Sequence, residues 1–500
     1  MALFGGIEIT DRPSPENIRR LDVLPLPMIS QMQRYGLRID PGHFADLSFR
    51  LGQRMGDLRA DIVNEIPADK LDKFVELSTE DEEDESNVDD NSPSLGSSTF
   101  EESFNVDSSE QISRLLYNVL DIHTNSAVDI KKTRGGKLST GKKTLEQFKR
   151  EFPVVRLILD YRECAKLKGT YVDSMPRRAR RHPAGRDCPA CGRHHYTDEL
   201  RVHTQITTTR TATGRIASKN PNLANIPART VLGREIRAGF IASEGHVIAQ
   251  RDWAQIELRL LADRSGDPTM IRIYQEDGDI HVATAMAAFG IDDPANVDKL
   301  FHRAPCKNVN FAVCYLITGL GLLDLMAVTY ASANTALPEW MDESWCAQFI
   351  ERWFGIYPSV RRYLNAEEES IRRYGIAWTR CGRVRRIPET QSFLGYVQEA
   401  GVRQGSNHGI QGFNADLAKL AMGEMTERFN VLAEYGIPVY PLMHVYDEFL
   451  HEVPEDQGEV VQAVMEEVMG NVLTDRQTGV RMCKVPIKSD GKLMTKWVKE

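Results

Sequence analysis

No stretch of the 500 residues approaches the ~20 unbroken apolar positions that a membrane-spanning helix needs. The first twenty residues show neither the basic-then-apolar order of a secretory signal nor the Arg/Ser richness of a transit peptide. Cysteine is scarce. Eight in the whole chain cannot staple a disulfide scaffold, and a reducing, cytoplasmic setting is the expectation. No internal repeat is evident. What remains is ordinary for a folded protein, 41% hydrophobic and 27% charged, with length for about three units of ordinary domain size.

A net charge of −9 would argue against a nucleic-acid partner if it were spread evenly. Residues 79–110 alone hold twelve Asp/Glu and no Lys or Arg; without them 59 acids face 62 bases. That stretch, with TEDEEDESNVDDNSPSLGSSTFEES at its heart, has few large apolar side chains and reads as a disordered, solvated insertion. A DNA-mimicking or partner-binding role is the alternative. Two basic stretches follow, residues 131–150 with eight Lys/Arg and the Pro-broken PRRARRHPAGR at 176–186, expected as loop. They flank a helix expected from Pro153 to about Tyr171, and suit either phosphate-backbone contact or a merely solvated face.

Helical spacing runs through residues 21–66, with Pro41-Gly42 as a break. From residue 199 the texture turns to strand: RVHTQITTTRTATGRI as strand and hairpin, then RAGFIASEGHVIAQRDW. A helix follows at IELRLLADRSG, and a mainly helical region spans about 270–385. The last hundred residues hold a helix at 411–435, an apolar strand pair around PVYPLMHVYDEFLHEV and a helix from about 455 to 472. Strands around a carboxylate pair, with helices before and between them, indicate an α+β fold with a palm-like core.

Two carboxylate sites interrupt apolar strands: Asp252 at the end of HVIAQRD, and Asp447-Glu448 at a strand tip. An Asp inside an apolar run is costly unless paired or bound to cations. Two such residues meeting across one sheet could hold two Mg²⁺ ions roughly 3.5–4 Å apart, an arrangement suited to phosphoryl transfer. For either site alone, a hydrogen-bonded turn Asp is the simpler reading. In HRAPCKNVNFAVCY, Arg303, Lys307, Phe311 and Tyr315 recur at intervals of four and share one helical stripe. Two cations followed by two aromatics would meet a triphosphate at one end and a base pair at the other. Pro305 fits only if the helix begins close to it.

These segments resemble, in order and spacing, the family A (DNA polymerase I-like) DNA polymerases. RDWAQIELRLLADRSGD is similar to motif A, HRAPCKNVNFAVCY to motif B and MHVYDEFLHEVP to motif C. TATGRIASKNPNLANIP, DGDIH, RCGRVRRIP and RQGSNHGIQGFNADLAKLAM support the likeness, which extends upstream through YRECAKLKGTY to LPMISQMQRYGLRID. The resemblance implies a right-hand architecture: a palm of antiparallel sheet plus helices, helical fingers and a helical thumb. On it, residues 1–20 are a leader, 21–198 the thumb-like region, 199–268 and 401–500 the two parts of the palm, and 269–400 the fingers. It also implies a template-directed DNA polymerase that adds dNTPs to a primer–template by two-metal catalysis, in a bacterial or phage-infected cell. Asp252 and Asp447 would bind the two Mg²⁺ ions, helped by the backbone carbonyl of Trp253, with Glu448 close by. Arg303 and Lys307 would hold the triphosphate with Gln255 and His281. Glu257, packed with Phe311, would exclude a ribose 2′-hydroxyl, and Tyr315 would stack near the templating base. Arg215, Asn222, Asn225, Arg403, Asn407 and Gln411 would line the primer–template minor groove, where acceptors occur at every correct pair.

The departures from the family pattern are local. Tyr446 stands where His usually precedes the motif C Asp, at the expected primer-terminus contact. Ala312 and Leu316 stand where Gly is usual in motif B, and the segment through NTALPEWMDES is longer than usual. Thumb-like sequence begins by about residue 21, so the expectation is a monomeric enzyme without 3′–5′ or 5′ nuclease. A separately encoded exonuclease, helicase or clamp would then be a partner. Two other readings stand beside it: a catalytically retired module that only binds DNA, and a single-subunit RNA polymerase relative, against which Glu257 argues.

One motif lies outside that likeness. CPACGRHH puts Cys188, Cys191, His194 and His195 within eight residues of a basic loop. C-x₂-C-x₂-H is compatible with half of a structural zinc site, completed by His195, His182 or His203. A polar turn with two reduced thiols is the alternative.

Overall fold

The computed structural model describes the chain apart from residues 1, 11, 86–103, 125–131, 133–135, 137, 150, 229, 334 and 499–500. The helical spacing does break ahead of Pro41-Gly42, between helices at Leu26–Tyr35 and Pro41–Asn64, and the proline starts the second. Pro41 sits in the first turn, where its missing N–H costs nothing, and the Asp40 side chain accepts from the His43 amide at 3.0 Å. The result is a long helix, α1 (Pro41–Asn64), with Phe44, Leu47, Leu51, Leu58 and Ile62 buried on one face. Against it lies α2 (Pro153–Leu167), again begun by a proline and extended by a wide turn over Lys168–Val172.

The acidic stretch expected to be disordered is ordered at both ends. A helix runs from Ala68 to Glu85, and Phe104 and Val106 are core residues beyond the undescribed middle. PRRARRHPAGR is likewise not all loop: a short helix at Ser174–Arg178 precedes a strand at Arg180–His182. That strand pairs with Glu199–Val202, which in turn pairs with Leu37–Arg38.

The central sheet carries the chemistry. Its first strand, β1 (His246–Trp253), is buried over most of its length, and the helix Ile256–Ser265 leaves directly from its end. The helical region follows, including α3 (Ala304–Ala312), with Pro305 in its first turn. The helix Gly395–Asn407 and the buried α4 (Phe413–Glu434) lead to a hairpin of β2 (Tyr440–Val445) and β3 (Glu448–Pro454). The chain closes on β4 (Ser489–Met494). The sheet order is β4-β1-β3-β2, all antiparallel, with Glu448 and Asp490 both opposite Asp252.

Residues 1–20, expected as a leader ahead of the fold, are part of it. Leu3 and Ile7 are buried, the Ala2 amide donates to Asp475 at 2.6 Å, and the Thr10 amide to the Arg380 carbonyl at 2.7 Å. The next helix, Pro15–Val23, presents Asp22 to Lys419 of α4 at 2.6 Å and to Arg383 at 2.8 Å. The N-terminal segment is therefore tied to the C-terminal half of the chain. No helix among the described residues is long and apolar enough to cross a membrane.

Candidate active site

The β2–β3 hairpin turns on only Tyr446 and Asp447, and so short a turn needs a left-handed backbone. Tyr446 supplies it at φ 59°, an unusual conformation for a bulky residue. The Asp447 carbonyl accepts from the Trp253 amide at 3.2 Å, which fastens the turn to the end of β1 beside Asp252. The two acids that interrupt apolar runs, almost two hundred residues apart, are thus placed together by the sheet. Asn414 of α4 donates to Asp447 Oδ1 at 2.7 Å. Burial pushes the Asp447 carboxyl up to about 6; the Asn414 hydrogen bond opposes this, and the charges of Glu257 and Asp252 add to it. Such a carboxylate invites a cation.

Glu448 has other surroundings. It is buried, with Arg237 Nη1 and Trp497 Nε1 each at 3.4 Å, so protein groups hold its charge. Arg237 also donates to the Ile226 carbonyl at 3.0 Å and lies over the Trp497 ring. Trp253 is anchored through its indole N–H to the Met469 carbonyl at 3.1 Å.

Around the carboxylates a polar chain runs through several expected nucleotide and groove residues. Arg215 meets Glu257 at 2.6 Å; Glu257 lies 3.4 Å from the Tyr315 hydroxyl; Gln411 donates to that hydroxyl at 3.2 Å. Burial raises the Glu257 pKa, with Arg215 opposing it. Arg215 also sits over the Tyr446 ring, whose hydroxyl donates to Asn225 at 3.0 Å. Asn222 accepts from Ser218 at 2.9 Å and fixes its own turn. Arg403 is exposed and Asn407 half-buried on the helix leading to Gln411.

The Arg303–Tyr315 stripe is one continuous helical run: a wide turn at Lys299–Arg303, then α3, then a tight turn at Val313–Tyr315. It stops at Leu316, which takes φ 50° where a helix end favours Gly. Arg303 pairs with Asp279 at 2.8 Å and Lys307 is exposed. Phe311 is half-buried, its ring 5.4 Å from that of His281. Two expected nucleotide ligands have protein partners of their own in this structure. His281 is buried, one ring nitrogen is 2.9 Å from Asn310, and burial holds its pKa down at about 4. Gln255, left-handed at φ 55°, accepts instead from the Tyr274 hydroxyl at 3.1 Å.

A cleft of about 1640 Å³ opens beside the carboxylates. Asp252, Asp447 and Tyr446 line it together with residues on or near α2, the bases Lys142, Lys149, Arg156, Arg162 and Lys166 and the acids Glu146, Asp160 and Glu163. Of the two basic stretches flanking the Pro153 helix, the first reaches this cleft, through Lys142 and Lys149.

Of the CPACGRHH residues, Cys188, Cys191 and His195 come together, but His194 does not. His194 packs edge-on against Tyr196 instead, and His182 takes the fourth place. The turn reverses at Gly192 (φ 75°), so His194 and His195 leave in opposite directions and only one can face the thiols. Asn414 and Arg237 were missed in the sequence, whereas His182 was one of three histidines offered to complete the zinc half-site. Asn414 lies inside a segment singled out for other residues, and Arg237 looked like a member of a charged surface stretch.

Comparison with known proteins gives this architecture a setting. The family description "DNA polymerase family A" matches residues 76–499. The "DNA polymerase I, thermostable" of Thermus thermophilus is 38% identical over 395 residues, 79% of this chain and 42% of that protein. The DNA polymerase I of Deinococcus radiodurans is 37% identical over 373 residues, covering 74% of this chain and 35% of the relative. That of Chloroflexus aurantiacus is 31% identical over 91% of this chain and 41% of its own length. The chain thus spans about two fifths of the length of these relatives. A solved structure, the POL domain of Pol1 from M. smegmatis in complex with DNA primer-template and dNTP, superposes with a TM-score of 0.72. It covers 95% of this chain and 70% of its own at 24% identity, and so speaks for the fold.

Proposed function

The chain belongs to DNA polymerase family A, and from that premise we propose that it is a template-directed DNA polymerase extending a primer 3′ end with dNTPs. The observation that carries the proposal is the placing of Asp252 and Asp447 side by side, at a cleft also lined by Lys142, Lys149, Arg156, Arg162 and Lys166. Members of this family use divalent metal ions, and Mg²⁺ fits here. The site offers hard carboxylate oxygens, among them those of a buried Asp447 whose carboxyl is pushed up to about 6 and whose charge a cation would favour. Asp252, Asp447 and the Trp253 carbonyl would hold two such ions, whose chemistry is to ease ionisation of the primer hydroxyl and offset charge on the phosphates.

The protein groups then divide the remaining work. In the reaction, the primer 3′-oxygen bonds to the α-phosphorus of the dNTP as the bond to pyrophosphate breaks. Catalysis of this kind is mostly positioning and charge stabilisation. Lys307 and Arg303 face the triphosphate, Arg303 by exchanging Asp279 for phosphate. Glu257, already one member of a half-buried ion pair with Arg215, closes the space beside the sugar's 2′ position. Arg215, Asn225, Gln411 and Tyr446 form the surface that reads the minor groove near the primer end, with Asn222, Arg403 and Asn407 beside it. Glu448 acts from behind, orienting the turn through Arg237 and Trp497 rather than touching substrate. These 500 residues are proposed to polymerise without trimming.

The test is Mg²⁺-dependent extension of a labelled primer–template by wild type and Asp447→Ala. Loss of a metal-holding carboxylate is expected to cost several powers of ten, each about 1.4 kcal/mol of barrier. A wild type that binds duplex but never extends it would sink the proposal and leave a DNA-binding module. Removal of a mismatched 3′ end by wild type would overturn the statement about trimming.

A further inference from the structure

The buried Cys/His cluster lies outside everything the polymerase reading uses. His182, Cys188, Cys191 and His195 each offer one ligand atom, and these atoms lie within 4.8 Å of one another. Cys188 Sγ is 3.8 Å from His182 Nδ1 and Cys191 Sγ is 3.1 Å from His195 Nε2. Tetrahedral zinc with ordinary Zn–S and Zn–N bonds has ligand–ligand edges of about 3.3–3.8 Å, so small adjustments close the set. Gly192, at φ 75°, turns the Cys-x-x-Cys segment back on itself, and its amide donates to the Cys188 carbonyl at 2.6 Å.

The proton positions of both imidazoles can be read from their outer partners. His203 Nδ1 lies 2.8 Å from the Gln33 carbonyl, which only accepts, so that nitrogen carries the proton. His203 Nε2 is then an acceptor, and His182 Nε2, 3.1 Å away, must be the donor. This leaves His182 Nδ1 with a free lone pair aimed at Cys188. The Glu199 carboxylate, 3.2 Å from His195 Nδ1, draws the proton to that nitrogen and leaves Nε2 with a lone pair aimed at Cys191. A carboxylate or another acceptor behind a ligating histidine is what a metal centre uses to fix the ring. Two thiolates and two neutral imidazoles make a neutral centre with zinc, which suits complete burial.

We propose that His182 Nδ1, Cys188 Sγ, Cys191 Sγ and His195 Nε2 bind one structural Zn²⁺. Four protein ligands leave no open position, so the ion does no chemistry. It fixes a knuckle to the sheet that carries the carboxylates. Arg193, two residues past Cys191, is buried against Glu452 of β3, and Arg201 bridges Glu452 at 3.1 Å to Glu199 at 2.6 Å. The path from metal to β3 is thus His195–Glu199–Arg201–Glu452. It reaches the strand four residues, about 13 Å, from Glu448.

Elemental analysis of the purified full chain is expected to find about one zinc per chain. Cobalt exchanged into wild type should give the intense visible bands of a tetrahedral site together with thiolate-to-cobalt charge transfer. Cys188→Ser and His182→Gln should each lose the metal, His194→Ala should keep it, and Glu199→Gln should weaken binding about 10–100-fold. If the cysteine variant does not fold, cobalt exchange and chelator release on wild type test the same ligand set without it. Wild type with well under one equivalent of zinc after growth in zinc-supplemented medium would overturn the site. So would a Cys188–Cys191 disulfide in the thiol count, or a His194→Ala chain that loses the metal while His182→Gln keeps it.

Discussion

Asp447 sits in surroundings that hold its carboxyl near 6, and whatever cation it binds must displace that proton. Apparent Mg²⁺ affinity in primer extension is therefore expected to fall as pH drops through about 6 and to level off above it. Asn414→Ala removes a hydrogen bond that favours the charged form, so the midpoint should move to higher pH. Magnesium titrations of the extension rate at a series of pH values would show it. A midpoint indifferent to Asn414 would separate the two residues functionally. Glu257→Ala frees the space beside the sugar and leaves Arg215 without its partner. Discrimination against ribonucleotides should drop at least tenfold, about 1.4 kcal/mol, in a competition between dNTP and rNTP; unchanged discrimination would remove the gate from Glu257.

The elements that carry the carboxylates were legible in the sequence because an Asp at the end of an apolar run is chemically conspicuous. The Arg303–Tyr315 stripe was legible because four spaced residues of mixed chemistry do not suit a core face. What supports them was not. Arg237 reads as one more cation in GREIRAG, yet it is buried beneath the site. His182 was one of three histidines the sequence offered to the cysteines, and the pairing of Arg180–His182 with Glu199–Val202 is what singles it out. The N-terminal segment gave no signal that it would close against α4, because single apolar residues such as Leu3 and Ile7 carry no period. At this scale the helix Val231–Ala238, which presents Arg237, offers a direct test. A methyl at Gly233 would lie 2.1 Å from the Pro227 carbonyl oxygen, so Gly233→Ala must push the helix outward. The expected cost is about 1–3 kcal/mol of stability in urea denaturation, with weakened extension as Arg237 leaves Glu448. Gly355→Ala, within the helix Glu343–Ile356 and with nothing within 4 Å of the added carbon, should be neutral or slightly stabilising. Equal effects of the two would contradict the packing described.

Across the whole molecule, several histidines are buried in the neutral form. Burial lowers His281 and His408 to about 4 and His444 and His451 to about 3, against an ordinary 6.5. The unfolded chain binds these protons first. Their contribution to stability is complete above about 6.5 and is lost as pH falls from there towards 4, by up to about 1.4 kcal/mol per histidine per unit. Urea midpoints should hold steady from neutral to weakly alkaline pH and decline steadily below 6.5. A urea midpoint at pH 5 within ~0.2 M of its neutral value would mean these rings are hydrated.

The strand order β4-β1-β3-β2 also sets a timetable for the growing chain. β1 is an inner strand, yet both of its neighbours are made last: β3 begins almost two hundred residues later and β4 later still. At ribosomal speeds of about 5–20 residues per second, β1 waits roughly 10–40 s with two unpaired edges. During that interval VIA, the apolar part of the strand, is open to other chains, while the N-terminal segment has no α4 to close against. Synthesis is when this protein is most exposed to misassembly, and slowing translation after Trp253 should lower its soluble yield more than slowing it after Met494.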